Sequence, residues 1–280
     1  MNSRKAVLLH WETLFLQCGV DSPRLSSQVL LAHVLNIPRL EMLLQAGAEV
    51  HESSMKQMEA LALRRMHGEP VAYLVGFKEF YGLAFHVSPA VLIPRPETEL
   101  IMDYVLETHD PSVRRTVLDV GTGSGALAVT CASFFPLFEF VAVDISFDAL
   151  KLARSNAKKH DTMARISFFQ GDLLDALRIR SFDIILANLP YVPMITRNEL
   201  SLEVLNHEPE IALFAGQDGL DCYRRLALSL DGNVRPGTLL LCEIDHSQGL
   251  AMMNLFSLLA EEVRIIKDLA GLDRVVAVVF

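Results

Sequence analysis

Apolar residues recur at helical spacing through the N-terminal part of the chain, and in short continuous runs beyond it. Arg4–Cys18 is helically periodic. Ser22-Pro23 reads as an N-cap followed by proline at the first helical position, leading into a helix over Arg24–Leu35. Pro38 opens another short helix reaching to Gln45 or so. Ser54 with Gln57 forms a capping box ahead of a helix over Met58–Met66, with Gly68 as its stop. No strand signal interrupts residues 4–76. The character changes at Lys78–Val87, where aromatic and β-branched residues around Gly82 predict a β-hairpin. Val91–Glu99 follows, stiffened by Pro94 and Pro96. Glu97 and Glu99 then fall in the first turn of a helix running to Thr108 or so, where carboxylates suit the helix dipole.

From Thr116 the pattern alternates. Strands over Thr116–Val120, Glu139–Asp144, Arg165–Gln170, Asp183–Ala187 and Thr238–Ile244 are interleaved with helices over Ala126–Phe134, Phe147–Lys159 and Leu220–Leu230. A helix over Gly249–Glu261 comes next. Such alternation predicts an α/β, doubly wound, mostly parallel, Rossmann-like sheet. Val263–Asp268 and Arg274–Phe280 have only a Gly271 turn between them, so they should pair as an antiparallel C-terminal hairpin. The expected organisation is a small all-α domain at 1–76, a β-hairpin and linker at 77–95, and the α/β domain at 96–280. The helical part is open to two readings, a stabilising bundle or a partner-docking domain.

Composition narrows the class. The chain is 51% hydrophobic over 280 residues, ample material for a core. No apolar run approaches the ~20 residues of a membrane span. Arg4 and Lys5 precede Ala6–Leu9, but His10, Trp11 and Glu12 end that run too early for a signal peptide. A soluble, cytoplasmic protein is expected, with no membrane partner. Cys18, Cys131, Cys222 and Cys242 are scattered and read as reduced thiols. The histidines never fall at metal-ligand spacing beside them, so no metal is expected. The net charge is −9, and the basic residues are dispersed as isolated pairs such as Arg114-Arg115 and Arg224-Arg225. That argues against nucleic acid as the direct partner.

Three constellations carry chemistry. The first is Asp119-Val120-Gly121-Thr122-Gly123-Ser124-Gly125, a strand running into glycines and then a helix. Glycine permits the tight turn and a ligand's close approach to the backbone. Asp144, ending the next strand, could accept hydrogen bonds from both hydroxyls of a ribose. As Gly121-x-Gly123-x-x-Ala126 the loop fits a dinucleotide; as Asp-x-Gly-x-Gly-x-Gly it resembles the S-adenosyl-L-methionine loop of the large methyltransferase superfamily. Asp119 favours the second, since a carboxylate beneath the loop suits an ammonium better than a pyrophosphate. The second is Gly171-Asp172-Leu173, where Asp172 could bond an adenine amino group and Leu173 pack on its face; an ordinary Asx-turn is the competing reading.

The third is Asn188-Leu189-Pro190-Tyr191, which ends the apolar run Phe182–Ala187. Pro190 lacks an N–H, cannot continue a central strand, and holds Leu189 extended. The groups therefore sit at the carboxyl edge of the sheet, where open α/β sheets bind ligands. The tetrapeptide closely resembles the Asn-Pro-Pro-Tyr signature of methyltransferases acting on planar nitrogens. That nitrogen is a poor nucleophile because its lone pair is delocalised. The resemblance implies that the Asn188 side-chain oxygen and the Leu189 carbonyl accept its two N–H bonds, with Tyr191 packing on the planar group. Leu189 replaces the first proline of the commoner pattern; a carbonyl survives that change, some rigidity does not.

Glu79-Phe80-Tyr81-Gly82, Leu92-Ile93-Pro94-Arg95-Pro96-Glu97-Thr98-Glu99, the glycine loop, Asn188–Tyr191 and Asp218-Gly219-Leu220-Asp221 occur in this order. Together they resemble the peptide chain release factor glutamine methyltransferases, the HemK family, over essentially the whole chain. The resemblance implies S-adenosyl-L-methionine as cofactor, held by Asp119, Gly121, Thr122, Gly123, Ser124, Gly125, Asp144, Asp172, Leu173 and Asn188. It implies catalysis and substrate binding by Asn188, Leu189, Pro190 and Tyr191. The substrate would be the Gly-Gly-Gln glutamine of class 1 release factors, with the helical domain docking the factor and the enzyme acting as a monomer. Three other readings are a nucleic-acid adenine N-methyltransferase, which could use the same tetrapeptide on a flipped base, a nicotinamide-dependent dehydrogenase, and a non-catalytic S-adenosylmethionine-binding adaptor.

Overall fold

A computed structural model describes residues 2–175 and 177–280. Its contacts divide into two compact units, Met1–Phe77 with Leu200–His207, and Lys78–Glu199 with Glu208–Phe280. The first unit contains α1 (Arg4–Gln17), α2 (Pro23–Leu35), α3 (Arg39–Leu44), α4 (Glu52–Met66) and α5 (Val71–Val75). Phe15, Leu30, Leu31, Met42, Met58 and Ala62 form its buried centre. Two expected caps differ. Ser22 has φ +47° and makes no side-chain cap. An N-cap aims its oxygen at the first amides from extended backbone, which a left-handed residue does not provide. The capping box at Ser54 is also not formed, because α4 begins earlier: His51 caps it, its ring nitrogen accepting from the Ser53 amide at 3.3 Å. The buried Arg65 of α4 donates to Glu203 at 2.6 Å and to the backbone of Glu69 and Asp21 at 3.0 and 3.3 Å. This ion pair ties residues 200–207, including α9 (Leu202–His207), into the helical unit.

The second unit opens at Lys78, within β1 (Phe77–Phe80), which pairs with β2 (Leu83–His86) in a two-stranded sheet joined at Tyr81-Gly82. A 3-10 turn at Pro96–Thr98 leads into α6 (Glu99–Thr108). Glu99 accepts from the Tyr81 amide at 2.7 Å, so it anchors the hairpin as well as facing the helix N-terminus. The main sheet follows: β3 (Thr116–Val120), α7 (Ala126–Phe134), β4 (Glu139–Asp144), α8 (Phe147–Lys159), β5 (Ile166–Gln170), β6 (Ile184–Ala187), α10 (Asp221–Leu230), β7 (Leu239–Glu243), α11 (Gly249–Phe256), β8 (Glu262–Lys267) and β9 (Asp273–Val279). Strand order is β5-β4-β3-β6-β7-β9-β8. The pairs from β5 through β7 are parallel; β9 runs antiparallel to β8, as the closing sequence predicts, and also antiparallel to β7.

Successive residues of a strand face opposite sides, and the two faces are separate cores. Val117, Phe140, Ile184, Leu186 and Leu241 pack with α6, α7 and α8. Leu118, Val120, Ile185, Leu240 and Val276 pack with Tyr223, Leu226 and Leu230 of α10 and Met252 and Phe256 of α11. Burial on both faces explains why β6 and β7 read as continuous apolar runs. The sheet order reverses where β3 and β6 meet, with Val120 opposite Ala187. Gly121 and Asn188 are therefore the first residues past the same edge, at the switch point where such sheets bind ligands.

Candidate active site

The two chemically suggestive motifs converge at that edge. A β-carbon placed on Gly121 would lie 3.0 Å from Leu189 Cδ2, and Gly121 has φ +72°. Any side chain there would be strained and would press on the second motif. The Gly121 and Thr122 amides donate to the Val143 carbonyl at 2.8 and 2.9 Å, pulling the glycine turn onto the end of β4. Behind the turn, buried Asn156 of α8 donates to the Ser124 and His86 carbonyls at 2.8 and 3.0 Å and accepts from the His86 amide at 2.8 Å. Such a fully satisfied buried amide fixes the loop to the helix.

A cleft of about 340 Å³ opens beside this junction. Gly121, Gly123, Asp144, Asp172, Leu173, Asn188, Leu189 and Pro190 all line it, so the structure gathers the cofactor and substrate candidates into one site. Asp119, Thr122 and Ser124 line an adjoining recess of about 60 Å³, again with Gly121, Gly123 and Asn188. Gly125 sits behind them as the N-cap of α7. Tyr191 is half-buried against the core beneath the edge.

The acidic groups differ in what they are free to do. Asp144 accepts from the Gly123 and Ser146 amides, both at 2.8 Å, one on each oxygen. Each oxygen keeps a lone pair for a ribose hydroxyl. Burial raises this carboxyl above its ordinary range, against the pull of those amides. Asp119 is enclosed: its Oδ2 accepts from the Thr122 hydroxyl at 2.6 Å and the Ala128 amide at 3.2 Å. Burial pushes it up to about 6, with the Thr122 and Ala128 bonds opposing. It braces the loop from below as well as lining the recess. Asp172 is paired with Arg225 at 2.7 Å at the mouth of the cleft. Leu173 has φ +52°, a conformation rare for a branched-chain residue and found where surrounding structure imposes it.

The Asn188 side chain is locked. Its Nδ2 donates to Thr98 Oγ1 and to Glu243 Oε2, both at 3.0 Å. With both N–H groups committed, the amide oxygen is left as acceptor, and no described residue donates to it. The Tyr191 hydroxyl donates to the other Glu243 oxygen at 3.1 Å. The Tyr191 carbonyl accepts from Gln248 Nε2 at 2.9 Å, and Gly219, with φ +78°, packs so closely on that carbonyl that a β-carbon would overlap it. Glu208 accepts from the Ile93 amide at 3.2 Å and pairs with Arg95, fixing the Ile-Pro-Arg-Pro segment that carries Thr98 to the same edge.

Thr98, Glu208, Glu243 and Gln248 are absent from the sequence-based set. The signal for Glu243 was present: an acid ending the otherwise apolar Leu239–Cys242 run. Arg225, Cys222, Phe214 and Ile145 also line the cleft with no motif to announce them.

The cleft suits S-adenosyl-L-methionine: a carboxylate for a ribose, apolar Ile145 and Leu173 to flank a base, glycine backbone to admit close approach, and a volume in the range of small-molecule sites. Comparison with known proteins agrees. The family described as the PrmC N-terminal domain matches residues 6–76, and the methyltransferase small domain matches residues 97–208. A release factor glutamine methyltransferase of Moorella thermoacetica (strain ATCC 39073 / JCM 9320) is 40% identical over 258 residues, spanning 91% of this chain and 91% of the relative. Another, from Koribacter versatilis (strain Ellin345), is 40% identical over 256 residues, spanning 91% and 90%. Among solved structures, the N-terminal domain of human METTL16 in complex with SAH aligns with a TM-score of 0.51 at 17% identity, covering 85% of this chain and 86% of that one. At that identity the likeness bears on the fold alone.

Proposed function

The chain belongs to the family of release factor glutamine methyltransferases, and we propose that it methylates the side-chain amide nitrogen of the Gly-Gly-Gln glutamine in class 1 peptide chain release factors, using S-adenosyl-L-methionine. The observation that carries the reading is the locked Asn188 amide beside the glycine turn. When bound, the cofactor supplies a sulfonium methyl whose carbon–sulfur bond breaks towards sulfur as the glutamine nitrogen attacks, so the chain needs no covalent intermediate. What the chain adds is position. The Asn188 oxygen and the Leu189 carbonyl take the two glutamine N–H bonds and turn the nitrogen lone pair towards the cleft. Pro190 and Tyr191 shape a flat slot for the amide. Asp144 holds the ribose, and Asp172 and Leu173 flank the adenine. No side chain is assigned as general base, because an alkylated amide nitrogen is acidic enough to release its proton to water.

The helical unit serves as the docking surface for the release factor; the match of residues 6–76 to a domain named for this family supports that role. The protein acts in the cytoplasm as a monomer. Among the described residues no helix is long and apolar enough to cross a membrane. Mass spectrometry of a purified class 1 release factor after incubation with the protein and labelled cofactor tests the reading. The expected result is one added methyl on the Gly-Gly-Gln glutamine. Label in nucleic acid and none in the factor would overturn it.

A further inference from the structure

We infer that Glu243 is the positioning residue of this site: its carboxylate sets which way the Asn188 amide faces and holds Tyr191 in register with it. The inference rests on the reading of Asn188 given above. An asparagine can present its oxygen to an amide substrate only if its NH2 group is held elsewhere, since a flipped side chain would present donors to donors. Glu243 supplies that hold. One of its oxygens accepts from Asn188 and the other from the Tyr191 hydroxyl, so a single carboxylate spans the first and last residues of the tetrapeptide. Thr98, at the end of the Pro96–Thr98 turn, completes the grip on Asn188.

Glu243 is itself fixed. It is 1% exposed at the end of β7, and its backbone carbonyl accepts from the buried Tyr223 hydroxyl. Among the described residues, no lysine or arginine makes an ion pair with it. A buried carboxylate hydrogen-bonded to hydroxyl and amide donors, with no ion-pair partner in contact, is costly to maintain, and such placement is characteristic of functional sites. Burial raises this carboxyl to about 7 against the hydrogen bonds of Thr98 and Tyr191. The charged groups facing it are Glu97 from the 3-10 turn, which raises it further, and Arg274 of β9, which lowers it. Only the ionised form accepts from Asn188 and Tyr191 at once. Loss of that form on acidification leaves one oxygen as a hydroxyl and loosens the lock.

The test uses the full-length enzyme, purified release factor and S-adenosyl-L-methionine, with Glu243→Ala, Glu243→Gln and Asn188→Ala compared across pH 5.5–9. Glutamine keeps an acceptor for Asn188 and lets its own amide donate to the Tyr191 oxygen; alanine keeps neither. Glu243→Ala should lower kcat about 100-fold, the scale expected when a reacting group is displaced by about an ångström. Direct titration with S-adenosyl-L-homocysteine should remain within about threefold of wild type, which separates misplacement from misfolding. Glu243→Gln should recover kcat to within about tenfold of wild type at pH 8 and lose the rise in kcat near pH 7. A Glu243→Ala enzyme with near wild-type kcat, a loss of cofactor binding matching the loss of kcat, or an unchanged step near pH 7 in Glu243→Gln overturns the inference. If Asn188→Ala also transfers methyl normally, the underlying reading fails; if Asn188→Ala is inactive, only the role of Glu243 does.

Discussion

The site has two halves of different construction. The glycine turn after β3 is braced locally: Thr122 reaches back three residues to Asp119, Gly123 bonds Asp144 twenty-one residues on, and Asn156 bonds Ser124 thirty-two residues back. The amide motif after β6 is braced from afar. Asn188 depends on Thr98, ninety residues away, and on Glu243, fifty-five away; Tyr191 depends on Gln248 at fifty-seven. The difference follows from the tasks. A cofactor pocket needs backbone to come close, and a strand–turn–helix does that within itself. An amide clamp needs two acceptors aimed in space, and a side chain at a strand end has no local neighbours to hold its rotamer, so the neighbouring strands and the Pro96–Thr98 turn do it.

If the halves are separable, each should fail in its own way. The largest effect is expected on the amide side. Asn188→Ala should lower kcat by about 1000-fold, as for removal of a transition-state hydrogen-bonding group. Cofactor affinity should change little, and single-turnover transfer with a separate binding titration checks both. Asp144→Ala should do the reverse. It removes an acceptor for a ribose and leaves the Gly123 and Ser146 amides unpaired, weakening cofactor binding by about 30-fold. At saturating cofactor its kcat should return to near wild type. Equal loss of binding and turnover in both variants would mean the two halves act as one.

The same contrast governs what was legible in the sequence. The sheet strands and the helices α7 and α8 could be placed closely, since runs buried on both faces and glycine punctuation are local signals. The strand–turn–helix of the glycine half could be placed for the same reason. Of the amide half, the tetrapeptide itself is legible; Thr98 lies in the proline-stiffened segment with no sign of its role, and Glu243 shows only as an acid ending an apolar run. A residue that acts on the end of a neighbouring strand has no local motif to betray its role. The helix caps show the opposite failure. Ser22 and Ser54 carry the right residue type, but left-handed backbone at one and an earlier helix start at the other deny them the role. The stretch between Val192 and Leu220 had no strong pattern. It is held by contacts such as the Val192 amide to the Leu213 carbonyl at 2.9 Å and the pairing of Arg65 with Glu203, neither of which a local pattern can announce.

A smaller effect sharpens the comparison, because each half buries one costly carboxyl. Asp119, on the glycine side, is raised to about 6, and Glu243, on the amide side, to about 7. Both values lie above those of the unfolded chain, 3.8 and 4.5. The folded state therefore binds protons more tightly than the unfolded one across these windows. The associated stability is fully present below about pH 4 and is lost as pH rises through the folded values. Replacing either acid with its amide removes that loss without removing the acceptor oxygen. The stability of Asp119→Asn relative to wild type should therefore improve between about pH 4 and 6, and that of Glu243→Gln between about pH 4.5 and 7, each by ~1–3 kcal/mol. Denaturant unfolding of the three proteins at pH 4.5, 6 and 7.5 reads the differences directly. Using differences removes the opposite trend of surface acids such as Asp218 and Asp268, which hydrogen bonds from Arg224 and from the Leu272 amide hold below the ordinary range. Two curves displaced along the pH axis, the glycine-side variant gaining first, would mean that the halves titrate independently. A single shared window would mean that the charges on Asp119 and Glu243 are coupled through the Asn188 edge, and the division of the site into a local and a long-range half would have to be given up.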